Sequence, residues 1–223
     1  NRCGKGLVRP HGSIWPVDRE LSDLVIKKIR EVGRSYNEVR ADMKRTGALL
    51  SRFEDCGSVT AAQMQAIGGV GPAARASGLA RDIRSTHPWG AYALIDERYA
   101  MEEKGFGDVM ARLMIRGAEI FRSIDLIGLF LKRIGELEWE QVAPEYNGPW
   151  GPDTTAFAPV EGWRGEICHV GLTDSQGRLS CYKVKDPSVH NWLALALAVR
   201  GEGISDFPIC NKSFTLSYCG HDL

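Results

Sequence analysis

Between Asp108 and about Leu137 an apolar residue returns at nearly every third or fourth position. Leu113, Gly117, Ile120, Ile124, Ile127, Leu131 and Ile134 carry the repeat, and Phe121, Leu126 and Phe130 widen it. That spacing predicts one long α-helix with a broad apolar stripe. A helix this apolar needs other helices around it, so the chain should form a helical bundle. Gly117 would let a neighbouring helix approach closely. A second long helix is expected from the capping residue Asp18 to about Thr46, because Leu21, Leu24, Val25, Ile29, Val32, Tyr36, Val39 and Met43 recur at the same steps. Gly33 is a possible soft point within it.

Elsewhere the signals are shorter. Thr60 and Gln63 have the spacing of a capping box and open a short helix that Gly68-Gly69 ends. Gly71–Ser77 reads as a tight turn, and Pro88 starts a short aromatic helix holding Trp89 and Tyr92. Glu166–Thr173 and Arg178–Lys185 flank a turn at Asp174–Gly177, the pattern of a β-hairpin. Pro187-Ser188 opens a last helix to about Val199, whereas Arg2–Pro16 and the tail from Gly201 read as irregular. The expected fold is mainly α (α+β): a long-helix bundle with a small β-hairpin near the C-terminus. It should be one domain, with a helical bundle over 1–138, a Pro/Gly-rich loop over 139–165, and a hairpin, helix and irregular tail over 166–223.

Composition removes several functions. Lys and Arg number 28 against 28 Asp and Glu, a net charge of zero, which argues against a nucleic-acid binder. The basic run Lys27, Lys28 and Arg30 is interleaved with Asp23 and Glu31, as on a solvated helix face. No stretch approaches the ~18–20 apolar residues that span a bilayer. The opening Asn1-Arg2-Cys3-Gly4 lacks an initiator Met and reads as an internal cut. Six cysteines are spread without a CxxC pair, as expected of reduced thiols in a cytoplasmic protein. Cys168 and Cys181 fall in the two hairpin strands and could face each other. Cys210, Cys219 and His221 have the wrong spacing for zinc, so no metal site is expected. His11, His87 and His169 show no partner pattern.

Four segments, in order, resemble one family. Gly71-Pro72-Ala73-Ala74-Arg75-Ala76-Ser77-Gly78, with Asp82 and Arg84, is similar to a GPxxRASGxxxDxR signature. Gly107-Asp108 with Arg112, Arg116 and Glu119 resembles a GDxxxRxxxRxxE helix. Val160–Glu166 followed by Asp186-Pro187-Ser188 resembles an ExPRGE strand start and an APS helix start. Asp206-Phe207-Pro208 with Asn211-Lys212-Ser213-Phe214 resembles the segment before the last metal-binding motif. The family is the large subunit of energy-converting nickel–iron hydrogenases and the 49-kDa-type subunit of respiratory NADH:quinone oxidoreductase. The resemblance covers roughly residues 65–223. Before that, Gly6-Leu7-Val8-Arg9 matches only a glycine-rich GxVR segment.

The resemblance implies a C-terminal part of a large subunit in a membrane-associated redox complex, formate hydrogenlyase-like in kind. Electrons would come from an iron–sulfur cluster in a small partner subunit and reduce a quinone-like or other acceptor, with ion translocation through membrane subunits. It implies a place on the inner face of the cell membrane, held by those partners. Family hydrogenases bind nickel and iron through an early RxCGxC and a late DPCxxC. Here Ser217 and Gly220 stand where the two late cysteines belong, with Cys219 out of register. The fragment is thus expected to bind no nickel–iron group or other cofactor itself, and to be inactive alone. Arg75, Asp108, Arg112 and Arg116 would face the partner's cluster, and Glu166 and His190 would handle protons. A genuine hydrogenase with a degenerate tail and a non-catalytic scaffold are the alternatives.

Overall fold

The computed structural model describes residues 8–9, 12–13, 17–95, 105–136 and 149–220. The readings of 1–7, of 137–148 and of His11 and His221 lie outside those residues. A two-residue pair, β1 (Val8–Arg9) and β2 (Gly12–Ser13), runs antiparallel within the stretch expected to be irregular. Helix α1 (Arg19–Arg45) follows, its first turn closed by Asp18 accepting from the Leu21 N–H at 2.8 Å. Short helices α2 (Gly47–Leu50) and α3 (Ala61–Ala66) come next, the latter opened by the Thr60–Gln63 capping box.

Helix α4 (Gly71–Ala76) occupies the segment expected to be a tight turn, since Pro72 sits in a first turn where a missing N–H costs nothing. Helix α5 (Ile83–Thr86) and a 3₁₀ turn at Gly90–Leu94 lead to α6 (Val109–Gly135), capped by Asp108 accepting from the Ala111 N–H at 2.7 Å. The expected aromatic helix is this 3₁₀ turn, with Tyr92 edge-on to Phe130 of α6.

Helices α1 and α6 lie against one another through two glycines. Gly33, the one described residue of α1 that is buried, faces Ile124, where a Cβ would come within 3.1 Å of its Cδ1. Gly117 admits the Tyr36 hydroxyl, which an added Cβ would meet at 2.5 Å. The close approach expected of Gly117 is present, and Gly33 is a packing contact rather than a soft point.

The hairpin is there and gains a third strand. β3 (Thr155–Gly162), β4 (Gly165–Thr173) and β5 (Leu179–Lys185) form one antiparallel sheet in that order. Four prolines in 139–164 hide β3 from sequence reading. Pro159 lies inside it, tolerated because β3 is an edge strand where a missing N–H breaks no inner ladder. Cys168 and Cys181 do not face each other: Cys168 opposes Lys185 and Cys181 opposes Leu172. Helix α7 (Ser188–Ala198) follows as expected. The tail is not irregular throughout, because α8 (Phe207–Phe214) forms in it, started by Pro208 and ended by Thr215 in the left-handed region (φ 53°).

The core joins α3, α4, α7, α8 and the start of α6. Val59, Met64, Ala73, Ala74, Val109, Ala194, Leu195, Ala198, Cys210 and Phe214 fill it. One strand-like crossing holds it shut: the Val59 N–H donates to the Gly107 carbonyl at 3.0 Å and the Gly107 N–H to the Ala76 carbonyl at 2.9 Å. Gly107 has φ +66° and a Cβ there would lie 2.0 Å from the Val59 oxygen, so glycine is required.

Candidate functional site

Two arginines one turn apart on α6 point into the protein. Arg112 is wholly enclosed (0% exposed) and spends its fork on Ser213 Oγ at 2.8 Å, the Gly107 carbonyl at 2.6 Å and the Gly57 carbonyl at 3.0 Å. Its guanidinium lies 4.1 Å from the centre of the Phe214 ring. Arg116 donates to the Ser213 and Phe214 carbonyls, while its Nε has no hydrogen-bond partner among the described residues. Burial pulls both guanidiniums down to about 10, and both remain cations at neutral pH. Asp108 accepts from the Asp55 and Ala111 N–H groups. This trio therefore ties the loop 55–57 and the tail to the head of α6.

A second cluster surrounds Arg75, which α4 delivers to the interface with α6 and the sheet. Arg75 is 2% exposed, and it donates to both Glu119 on α6 and Glu161 on β3, with Asp82 at 3.5 Å. Asp82 is also gripped by Arg84, at 2.8 and 2.5 Å. Next to it, Arg81 donates to Glu166 of β4 at 2.5 Å. The α4–sheet contact that assembles this cluster depends on Gly71, where φ is +66° and a Cβ would lie 2.3 Å from the Gly165 Cα.

The tail runs past this machinery. Arg164 Nε donates to the Thr215 carbonyl, and the Ser217 N–H to Ser188 Oγ at 2.9 Å. Ser217 Oγ closes a turn by accepting from the Gly220 N–H at 3.0 Å. A Cβ on Gly220 would come within 2.6 Å of the Asp186 carboxyl. A nickel–iron group needs thiolates at these two positions. The residues do not fit one: a hydroxyl engaged in its own turn stands at 217, and at 220 there is no room for a side chain without moving Asp186. Cys56 and Cys210, whose sulfurs are 3.7 Å apart in the core, are far from ligand chemistry, since burial drives Cys56 up to about 12 and Cys210 upward as well.

The two expected proton-handling residues come into electrostatic range of each other. Glu166 is mostly buried beside Arg81, and His190 is half-buried near Gly68 on α7. Burial, then Lys185, holds the His190 imidazole below its ordinary value, with Glu166 opposing. Sequence reading joined Arg75 with Asp82 and Arg84, and Arg112 with Arg116. It missed Glu161 and Asn191. Glu161 stood in view as the first carboxylate of the VEGWRGE motif. Asn191, which bridges the Val70 N–H and carbonyl and the Arg164 carbonyl, carries no local signal.

Among the described residues no helix is long and apolar enough to cross a membrane. The chain is similar to the carbon monoxide-induced hydrogenase of Rhodospirillum rubrum, 29% identical over 216 residues, covering 96% of this chain and 58% of that one. It is also similar to formate hydrogenlyase subunit 5 of Escherichia coli K12, 30% identical over 67% of this chain and 25% of that one. An NADH-quinone oxidoreductase subunit of Roseiflexus sp. RS-1 is 25% identical, over 87% of this chain and 54% of that one. The chain thus spans little more than half the length of these relatives, or less. A solved subunit of the membrane-bound sulfane sulfur reductase, an archaeal respiratory membrane complex, shares the fold with a TM-score of 0.81 at 20% identity, over 92% of this chain and 56% of that one. The family described as respiratory-chain NADH dehydrogenase, 49 Kd subunit, matches residues 1–150, two-thirds of the sequence, and the chain belongs to that family.

Proposed function

We propose that the chain is part of the large subunit of a membrane-associated redox complex that takes electrons from an iron–sulfur partner subunit. It passes them to a quinone-like or other acceptor, coupled to ion translocation, and activates no hydrogen. Family membership and relatives named as hydrogenase, formate hydrogenlyase and NADH-quinone oxidoreductase subunits support the general kind. The observation that carries the finer reading is the tail: the Ser217 hydroxyl is committed to the Gly220 N–H, and Asp186 fills the space a side chain at 220 would need. In this reading the protein lies on the inner face of the cell membrane, attached through its partner subunits.

The roles follow from charge. Arg112 and Arg116, buried cations at the head of α6, would raise the potential of a nearby partner cluster, and Asp108 and Arg75 would face the same cluster. Glu166 and His190 would move protons on the sheet side. A scaffold role is the second reading, favoured by one fact: the Arg112 fork is already filled by groups of the chain itself.

The test uses the full-length protein purified with its native partners. Metal analysis should find no stoichiometric nickel, hydrogen should not be turned over, and acceptor reduction should persist. Nickel and iron in stoichiometric amounts would sink the reading. Acceptor reduction unchanged in both Arg112→Ala and Arg116→Ala would favour the scaffold.

A further inference from the structure

Three carboxylates, those of Asp82 and Glu161 enclosed and that of Glu119 part-buried, converge on the one Arg75 guanidinium, and they are not equally served. Asp82, fully buried, has two charge-assisted bonds from Arg84, the Arg84 N–H at 2.9 Å, and Arg75. Glu119 takes both the Nε and Nη2 of Arg75. Glu161, with its side chain 3% exposed, receives one arm of Arg75 at 3.1 Å and a long bond from the Ile83 N–H at 3.3 Å. That arm is shared: Arg75 Nη1 also donates to the Arg81 carbonyl at 2.8 Å. A buried charge with such thin compensation is costly, and taking up a proton removes the cost.

Glu161 also has a route to water. In the β3–β4 register Glu161 pairs directly with Glu166. Opposed residues send their side chains to the same face, with Cβ atoms about 5 Å apart. Both side chains therefore stand on one face of the sheet, with Glu161 the more enclosed of the two. Glu166 lies nearer the surface, held by the exposed Arg81. The 81–83 segment covers both carboxylates, giving Arg81 to one and the Ile83 N–H to the other.

We propose that Glu161 is a buried proton-exchange site, loaded from solvent through the Glu166 carboxylate across the sheet. The proton leaves hydronium for Glu166 and passes to Glu161, whose carboxylate becomes a neutral acid. No electron moves and no other bond breaks. Arg75 from α4 and Asp82 from the segment before α5 act on Glu161 directly; Glu119 from α6 is bonded to Arg75, Arg84 from α5 to Asp82, and Glu166 from β4, with its partner Arg81, stands opposite in the ladder. Burial, with Asp82 adding to it, raises the Glu161 carboxyl above its ordinary value, and Arg75 opposes. The inference does not depend on the redox reading, since it concerns a proton at equilibrium.

Infrared pH-difference spectra of the full-length protein test it, over about pH 4 to about pH 9, a range that starts near the ordinary Glu value of ~4.3. Wild type should show a protonated-carboxyl band whose midpoint lies above that value, and E161Q should lose the band. E166Q should keep the band but slow its appearance after a pH jump by about tenfold or more. The sign of the stability effect is fixed. A carboxylate raised in the folded state favours folding at low pH, and that contribution is lost as pH rises through its folded value. E161Q should therefore melt at or above wild type beyond the midpoint. An unchanged band in E161Q would overturn the proposal. So would no titrating band in wild type, or an E161Q that cannot fold, which would mean that the ionised form is needed. Unchanged kinetics in E166Q would overturn the route.

Discussion

The two halves of α6 carry the same apolar repeat and have opposite fates. In the first half Arg112 is sealed from solvent, and Val109, Ala111 and Ile115 are buried with it. In the second half Ile127, Leu129 and Ile134 are each 36% exposed. On α1 the pattern continues, with Leu24, Val32 and Val39 more than half exposed. Apolar periodicity thus tells which face of a helix seeks cover and not whether cover is present. What decides burial is contact with α4 and α8, which cover the head of α6 and join it to the main core. There the cations are held by backbone carbonyls of the 57 and 107 turns and of the end of α8.

The largest effect should come from the sealed half. Arg112→Ala strands the Gly57 carbonyl, takes one of two donors from the Gly107 carbonyl and removes the stack on Phe214, and should cost about 3–5 kcal/mol of folding stability. In a chain of this size each kcal/mol moves the melting temperature by roughly 2–4 °C, so calorimetry reads it directly. A melting temperature close to wild type would show that the arginine is not what binds the tail to α6.

A somewhat smaller effect is expected at Gly57, whose φ is +63° and whose added Cβ would lie 2.5 Å from Cys210 Sγ and 3.3 Å from Arg112 Nη2. Gly57→Ala should cost about 2–3 kcal/mol by backbone strain and overpacking together. Chemical denaturation would measure it, and a neutral result would mean that the Cys56–Cys210 layer yields easily.

The open half should hardly respond. Leu24→Ser, Val32→Ser and Leu129→Ser should each change stability by no more than about 0.5 kcal/mol. A loss above about 1.5 kcal/mol in the isolated chain would be the size expected for a fully buried side chain, and would erase the contrast between the halves.

Read residue by residue, the long elements and their caps were legible because they are local. Asp18 and Thr60 with Gln63 each act on N–H groups within three positions of themselves, as does Asp108, which was read only as the start of the apolar repeat. Strand β3 was not legible, because Pro159 marks a loop unless one knows that the strand lies at an edge. Helix α8 was not, because two turns beginning at a proline produce too little periodicity. Of the site, the motif residues Arg75, Arg112, Arg116 and Glu166 were visible as types and spacings. Glu161 was visible only as one more acid in a motif, since its partners Arg75 and Ile83 lie 86 and 78 positions away.

The sequence alone determined where the two long helices start and stop, which of their faces are apolar, which family segments are present, and that positions 217 and 220 lack sulfur. Those properties depend on residue identity and on neighbours a few positions apart. Only the tertiary structure decided that Arg112 is enclosed while Leu129 is not, that Asp186 occupies the space beside Gly220, and that Glu161 shares one guanidinium with two other acids. Burial and charge compensation are sums over groups brought together from distant parts of the chain, and no local pattern contains that sum.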